Sequence, residues 1–193
     1  MNKLIQRGVL SIAGLTAAAG MVAGPGLSQN TTPAMAGKPA AATQQVSVDK
    51  LLPNGVPAGQ STAPLNGEQT ANAKAIIEAT KKAGMDERAA VVAIATALQE
   101  SKLENLGHLG DRNDHDSQGL FQQRPSSGWG TVEQITDPEY STIAFLKGLK
   151  QVDGWKDMPL TQAAQKVQVS AYPDHYAQWE KQAADLVAEH WNS

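Results

Sequence analysis

The chain of 193 residues contains no cysteine. No disulfide can therefore brace it, and any folded domain must rest on its apolar core. A basic excess is also missing: 16 Lys and Arg stand against 19 Asp and Glu, a formal charge of −3. That balance argues against nucleic acid as a partner, because binding it requires a basic face that displaces counterions. Long apolar runs are absent near the start as well. The stretch from Gly8 to Ala23 is short and rich in glycine and alanine, unlike the roughly 20-residue apolar segment that spans a bilayer. No internal repeat is present.

The N-terminal stretch has instead the form of a secretory signal: Lys3 and Arg7, a short apolar region, then Ala34-Met35-Ala36 as a small-x-small cleavage site. Residues 1–36 are thus expected to be a signal peptide, with an uncleaved anchor as the alternative. Cleavage leaves 14 basic and 19 acidic side chains, a charge of −5. The mature chain is then expected outside the cytoplasm, secreted or in the cell wall, without stable membrane insertion and as a monomer. Residues 37–64, dominated by Ala, Pro, Gln, Ser, Thr and Gly without sustained period, read as a disordered linker. The folded domain is expected over 65–193.

Within it the expected class is mainly α. NGEQTANAKAIIEATKKAG places Ala73, Ile76, Ile77 and Thr80 on one helical face and stops at Gly84. Asp86 caps a second helix, AAVVAIATALQES. Asp137-Pro138 opens a third, with Tyr140, Ile143, Ala144 and Leu146 as its apolar positions. A shorter helix is expected over Thr161 to Ser170. A last one begins at Asp174, with Tyr176, Trp179, Ala183, Leu186 and Val187 buried. Lys102 to Thr136 forms the one long irregular region, in which GLFQQR is the candidate for a short strand or β-hairpin.

The chemistry points to the end of the second helix. From Ala89 to Leu98 only Thr96 is polar, so the helix is buried on all sides. Glu100 leaves it on the face of Ala93 and Ala97. Partial burial and the negative helix end both disfavour an ionised carboxylate there, so such a Glu keeps a proton nearer neutral pH, as a general acid requires. A glutamate fraying into solvent at a helix end is the plainer alternative.

ALQES followed by GDR, GLFQ and later SAYP resembles the goose-type lysozyme and lytic transglycosylase superfamily, as does ITDPEYSTIAFLKGL. The resemblance runs from about Leu65 to Trp191. It implies a lysozyme-like helical domain with a long cleft loop, a secreted enzyme cleaving peptidoglycan glycan strands, and Glu100 as its acid and base. By the same resemblance Glu100-Ser101 ends the buried helix. Gly119, Leu120, Phe121 and Gln122 form one wall of a sugar cleft, and Ala171-Tyr172 lies on a later helix facing the Glu. Two positions depart from the family: Pro173 follows the Ala-Tyr pair where Asn is common, and Phe121 replaces a methionine. Protonation of the glycosidic oxygen is the step Glu100 fits. Gln122 orients substrate or is simply a polar strand residue. Tyr172 bonds Glu100 or the substrate, or else is a core tyrosine. Trp129 stacks on a sugar face or pins the loop.

A second carboxylate has three candidates in the loop, Asp111, Asp114 and Asp116. Asp111 comes first for its Gly-Asp-Arg context and Asp116 second; each is also readable as a solvated loop aspartate. His108, Asp111, Asp114, His115 and Asp116 raise metal binding as an alternative. An EF-hand loop starting at Asp111 fails, with Asp116 where glycine belongs and Gln122 where the closing Glu belongs. Nor do the histidines have zincin spacing. No metal and no cofactor are therefore expected. Two other classes stay open: a non-catalytic wall-binding protein that retains the cleft, and a secreted metal-binding protein.

Overall fold

The structure, a computed structural model, describes residues 46–193 apart from 113 and 114 and the side chain of Arg112. The expected signal, the first part of the expected linker and Asp114 lie outside the described residues. All described residues belong to one compact unit, Ala41–Ser193. Seven helices occur among them: α1 Val48–Leu51, α2 Gly67–Lys82, α3 Glu87–Ser101, α4 Val132–Ile135, α5 Pro138–Lys150, α6 Leu160–Gln168 and α7 Glu180–His190. Among the described residues no helix is long and apolar enough to cross a membrane.

Helix α3 is the axis of the core. Every residue from Arg88 to Leu98 is buried, and α1, α2, α5, α6 and α7 all pack against it. Its small side chains let neighbouring helices approach from every side, which explains why the sequence shows no polar stripe there. The caps follow local chemistry. Asn66 and Gln69 form a reciprocal capping box at the start of α2. The carboxylates of Asp86 and Asp137 accept from Ala89 N and Tyr140 N at the starts of α3 and α5.

The mainly helical class is as expected, but three details differ. First, the folded region starts before Leu65. Val46, Leu51 and Leu52 are buried, and residues 57–63 lie against the C-terminal helical region. Gln60 Nε2 donates to Ala177 O at 2.8 Å, Ser61 N donates to Gln178 O at 2.8 Å, and Ala63 and Gln182 exchange two bonds at 2.7 and 2.9 Å. A strap with no period of its own docks through backbone groups and amide side chains, which hydropathy patterning does not register. Second, GLFQQR forms neither strand nor hairpin ladder; a single antiparallel bridge, Gln118 to Gln123, closes a tight turn. Third, the buried face of α5 consists of Ser141, Thr142, Phe145, Leu146 and Leu149. Tyr140, Ile143 and Ala144 lie on its rim, because Ser141 and Thr142 return their hydroxyls to the carbonyls one turn back and so enter the core as satisfied groups.

One charged pair is inside. Arg88 and Glu180, with side chains 4% and 5% exposed, meet at 2.7 Å, and the same guanidinium nitrogen donates to Leu51 O at 2.7 Å. The pair joins α3, α7 and the N-terminal strap. Removing either partner would leave a buried charge, at a cost of about 3–5 kcal/mol.

Candidate functional site

The C-terminal end of α3 opens into the main cleft, about 730 Å³ in volume. Helix termination there is abrupt. Lys102 and Leu103 both adopt left-handed backbone, at φ 57° and 63°, and Leu103 N donates to Ala97 O at 3.2 Å. Two consecutive non-glycine residues in this region carry strain. They turn the chain away within one residue of Ser101 and leave Glu100 lining the cleft.

Glu100 is half-buried and lines the cleft floor. The hydroxyl of Tyr176 donates to its Oε1 at 2.8 Å. Burial, and then the Glu100 carboxylate, raise the Tyr176 hydroxyl above its ordinary value, so it remains a protonated donor. The preceding residue fixes the same end of the helix: Gln99 Oε1 accepts from Trp179 Nε1 at 2.8 Å and from Gln178 Nε2 at 3.1 Å. Lys102 lies over the Trp179 ring at 4.6 Å, and its ammonium is held below the usual lysine value by burial.

One wall of the cleft is built by Ser117, Gln122, Gln123, Arg124 and Trp129. Gly119 shapes it: with φ +77° and a Cβ position that would fall 2.1 Å from Ile135 O, only glycine fits. Gln122 is left-handed, φ 48°, and its amide donates to Gly119 O at 3.0 Å. Gln123, 2% exposed, donates Nε2 to Ser141 O while its Oε1 has no hydrogen-bond partner. Arg124 Nε donates to Ser117 Oγ at 2.9 Å. The opposite wall runs from Val167 to Tyr172. Val169 is left-handed there and 80% exposed, an uncommon state for a β-branched residue. Gln168 Nε2 crosses to Phe121 O at 2.9 Å and links the walls.

Several expected site residues sit elsewhere. Ser101 is buried, with its hydroxyl 2.8 Å from Leu120 O, and ties the loop to α3 without reaching the cleft. Leu120 and Phe121 are likewise in the core, Phe121 stacked on Phe145 with ring centroids 5.1 Å apart. They support the wall from behind and present no surface to a ligand. Tyr172 does line the cleft, but from an irregular segment between α6 and the turn His175–Trp179, not from a helix. It is 62% exposed and stacks on His175 at 4.9 Å; the tyrosine hydroxyl that bonds Glu100 is that of Tyr176. Asp111 is exposed in the short turn Gly110–Arg112. Asp116 is occupied in a clamp, accepting from Ser126 N and Ser126 Oγ at 2.8 Å each. Those two bonds hold its carboxyl below the usual value. Among the described residues, Glu100 is the one carboxylate lining the cleft, and no three His, Asp or Glu side chains gather as a metal group.

Sequence reasoning missed Gln123, Arg124, Gln168 and Tyr176. For Tyr176 a signal existed. A tyrosine assigned to a core face must find a partner for its hydroxyl, and the nearest polar end of a neighbouring helix is at Gln99 and Glu100. No protein-family model matches this chain, and no curated protein matches it.

Proposed function

We propose that this protein is a secreted enzyme that cleaves the glycan strands of peptidoglycan, with Glu100 as general acid and base. One observation carries the reading: among the described residues one carboxylate, Glu100, lines the main cleft, at the exit of a helix buried from Arg88 to Leu98, with a tyrosine hydroxyl fixing one of its oxygens. The motif resemblance to goose-type lysozymes and lytic transglycosylases supports the same assignment. Amides and hydroxyls on both walls, from Gln122, Gln168 and Ser170, suit a polyhydroxyl ligand.

Among the described residues the cleft is lined by one carboxylate, Glu100, and the mechanism proposed is one that needs no second. Protonated Glu100 gives its proton to the glycosidic oxygen as the bond to the anomeric carbon breaks. The substrate's N-acetyl oxygen takes up the developing positive charge. The Glu100 carboxylate then removes the proton from the 6-hydroxyl, whose oxygen closes on the anomeric carbon and displaces the acetamido oxygen. The product is a 1,6-anhydro sugar, and Glu100 is protonated again. Tyr176 positions the carboxylate, and Trp129 offers an aromatic face to a sugar ring.

Digestion of purified sacculi followed by mass analysis tests this. The expected fragments are anhydromuropeptides, lighter by one water than hydrolysis products. Glu100→Gln keeps the shape and the Tyr176 bond but has no transferable proton. Cleavage should fall by a factor of roughly 10² or more, with the melting temperature nearly unchanged. Undiminished cleavage by Glu100→Gln would remove it from the mechanism. Reducing ends in place of anhydro ends would make the enzyme a hydrolase.

A further inference from the structure

The apolar positions of α5 that do not enter the core have a place of their own. Tyr140, Ile143 and Ala144, with Lys147 one turn on, line a second groove of about 290 Å³ against Gly128 and Trp129. Trp129 is shared: it lines the main cleft on one side and this groove on the other. Gly130 makes the corner possible. At φ +141°, a Cβ there would stand 3.0 Å from a Tyr140 ring carbon and 2.9 Å from Gln134 Oε1, so only glycine lets the loop lie against the tyrosine. The result is an apolar floor, Ile143 and Ala144, between two aromatic walls and under an exposed ammonium.

Three polar side-chain groups edge this groove: the Trp129 indole N–H, the Tyr140 hydroxyl and the Lys147 ammonium. None has a hydrogen-bond or ion-pair partner among the described residues. The indole N–H donates in a fixed direction, the phenol hydroxyl can donate or accept, and the third is a cation, in a chain whose overall charge is negative. A groove with small apolar floor, donors on its edge and a positive charge at its mouth is complementary to a short peptide that bears a carboxylate. Its continuity with the cleft through Trp129 places it within reach of a side branch on a polymer in the cleft.

From this geometry we infer that the groove between Trp129 and α5 is a subsite for the carboxylate-bearing peptide branch of the glycan strand, with Lys147 facing the carboxylate and Tyr140 and Ile143 facing its small apolar side chains. This rests on the peptidoglycan reading of the main cleft. It adds that the enzyme distinguishes peptide-bearing strands from bare ones, and places that distinction on α5, away from Glu100.

The test uses full-length protein and two ligands, glycan fragments with intact peptide branches and the same fragments stripped of them. Binding is measured calorimetrically on Glu100→Gln protein so that nothing is consumed, and cleavage on protein with Glu100 intact. Peptide-bearing fragments should bind about tenfold more tightly. Adding Lys147→Met should reduce that preference roughly threefold, as expected for a partly solvated charge contact, and Tyr140→Phe, which keeps the ring against the loop and removes only the hydroxyl, should reduce it further. Both should leave binding and cleavage of stripped strands unchanged. Converting the branch carboxylates to amides should reproduce the Lys147→Met loss. Equal affinity for the two ligands, or a preference that survives both substitutions, overturns the subsite while leaving the glycan-cleaving function in place. A preference insensitive to amidation overturns the role of Lys147. Failure to bind or cleave either ligand defeats the functional reading itself, and the subsite with it.

Discussion

The two walls of the main cleft are made differently. The wall from Ser117 to Trp129 is an outgrowth of the core. Leu120 and Phe121 are buried behind it, Ser101 ties it to α3, the Gln118–Gln123 bridge closes its turn, and Asp116 clamps Ser126. The wall from Val167 to Tyr172 is surface. Val169 and Tyr172 stand out into solvent, and the segment is held mainly by amide side chains, Gln165 exchanging two bonds with Ser170 and Gln168 reaching Phe121 O. A ligand in the cleft thus meets one surface fixed by hydrophobic burial and one fixed by a few polar contacts. Local opening is easiest where few apolar contacts must be given up, so adaptation to the ligand falls to the second wall.

Substitutions that treat the walls alike should therefore give unlike results. The largest effect is expected for Phe121→Ala. It removes a ring that is 1% exposed and stacked on Phe145, and should cost about 3–5 kcal/mol of stability by denaturant unfolding. A loss under 1 kcal/mol would show that the first wall is not anchored by the core.

An intermediate effect is expected on the floor between them. Tyr176→Phe keeps the buried ring but removes the donor to Glu100. Stability should fall by about 1 kcal/mol. Catalytic efficiency should fall by roughly tenfold or more, because a misplaced acid loses its near-attack geometry. The alkaline limb of the pH–rate profile, where the acid loses its proton, should also move, which a purely structural role would not produce. An unshifted profile would separate Tyr176 from the chemistry.

The smallest change in stability belongs to the second wall. Tyr172→Ala removes a ring that is 62% exposed and touches His175, so unfolding free energy should stay within about 0.5 kcal/mol of the starting value. Its effect should appear in KM for glycan strands, with kcat little altered, because the ring contributes binding and not proton transfer. Equal stability losses for Phe121→Ala and Tyr172→Ala would erase the distinction between the walls.

The contrast also explains what was legible in advance. Helices α2, α3 and α5 announced themselves through caps and stops, Asp86, Asp137 and Gly84, whose chemistry is local. Glu100 was legible because a run as apolar as Ala89 to Leu98 leaves few places for a carboxylate to emerge. The face of α5 was not, since Ser141 and Thr142 enter the core only by bonding back to their own helix. The strap before Leu65 was not legible either, because its contacts are made by backbone and amide groups that leave no trace in hydropathy.

The sequence by itself determined a mainly helical, cysteine-free domain, the ends of its principal helices and the one glutamate at the exit of the buried helix. Those are consequences of short-range periodicity and of the cost of burying a charge. Only the tertiary structure decided that Tyr176 and not Tyr172 holds Glu100, that Phe121 supports the cleft from behind, that Asp116 is spent on Ser126, and that Trp129 divides two grooves. Each of these depends on which side chains meet across 10 to 76 positions of chain, and such meetings are set by the packing of whole helices, not by any pattern within one of them.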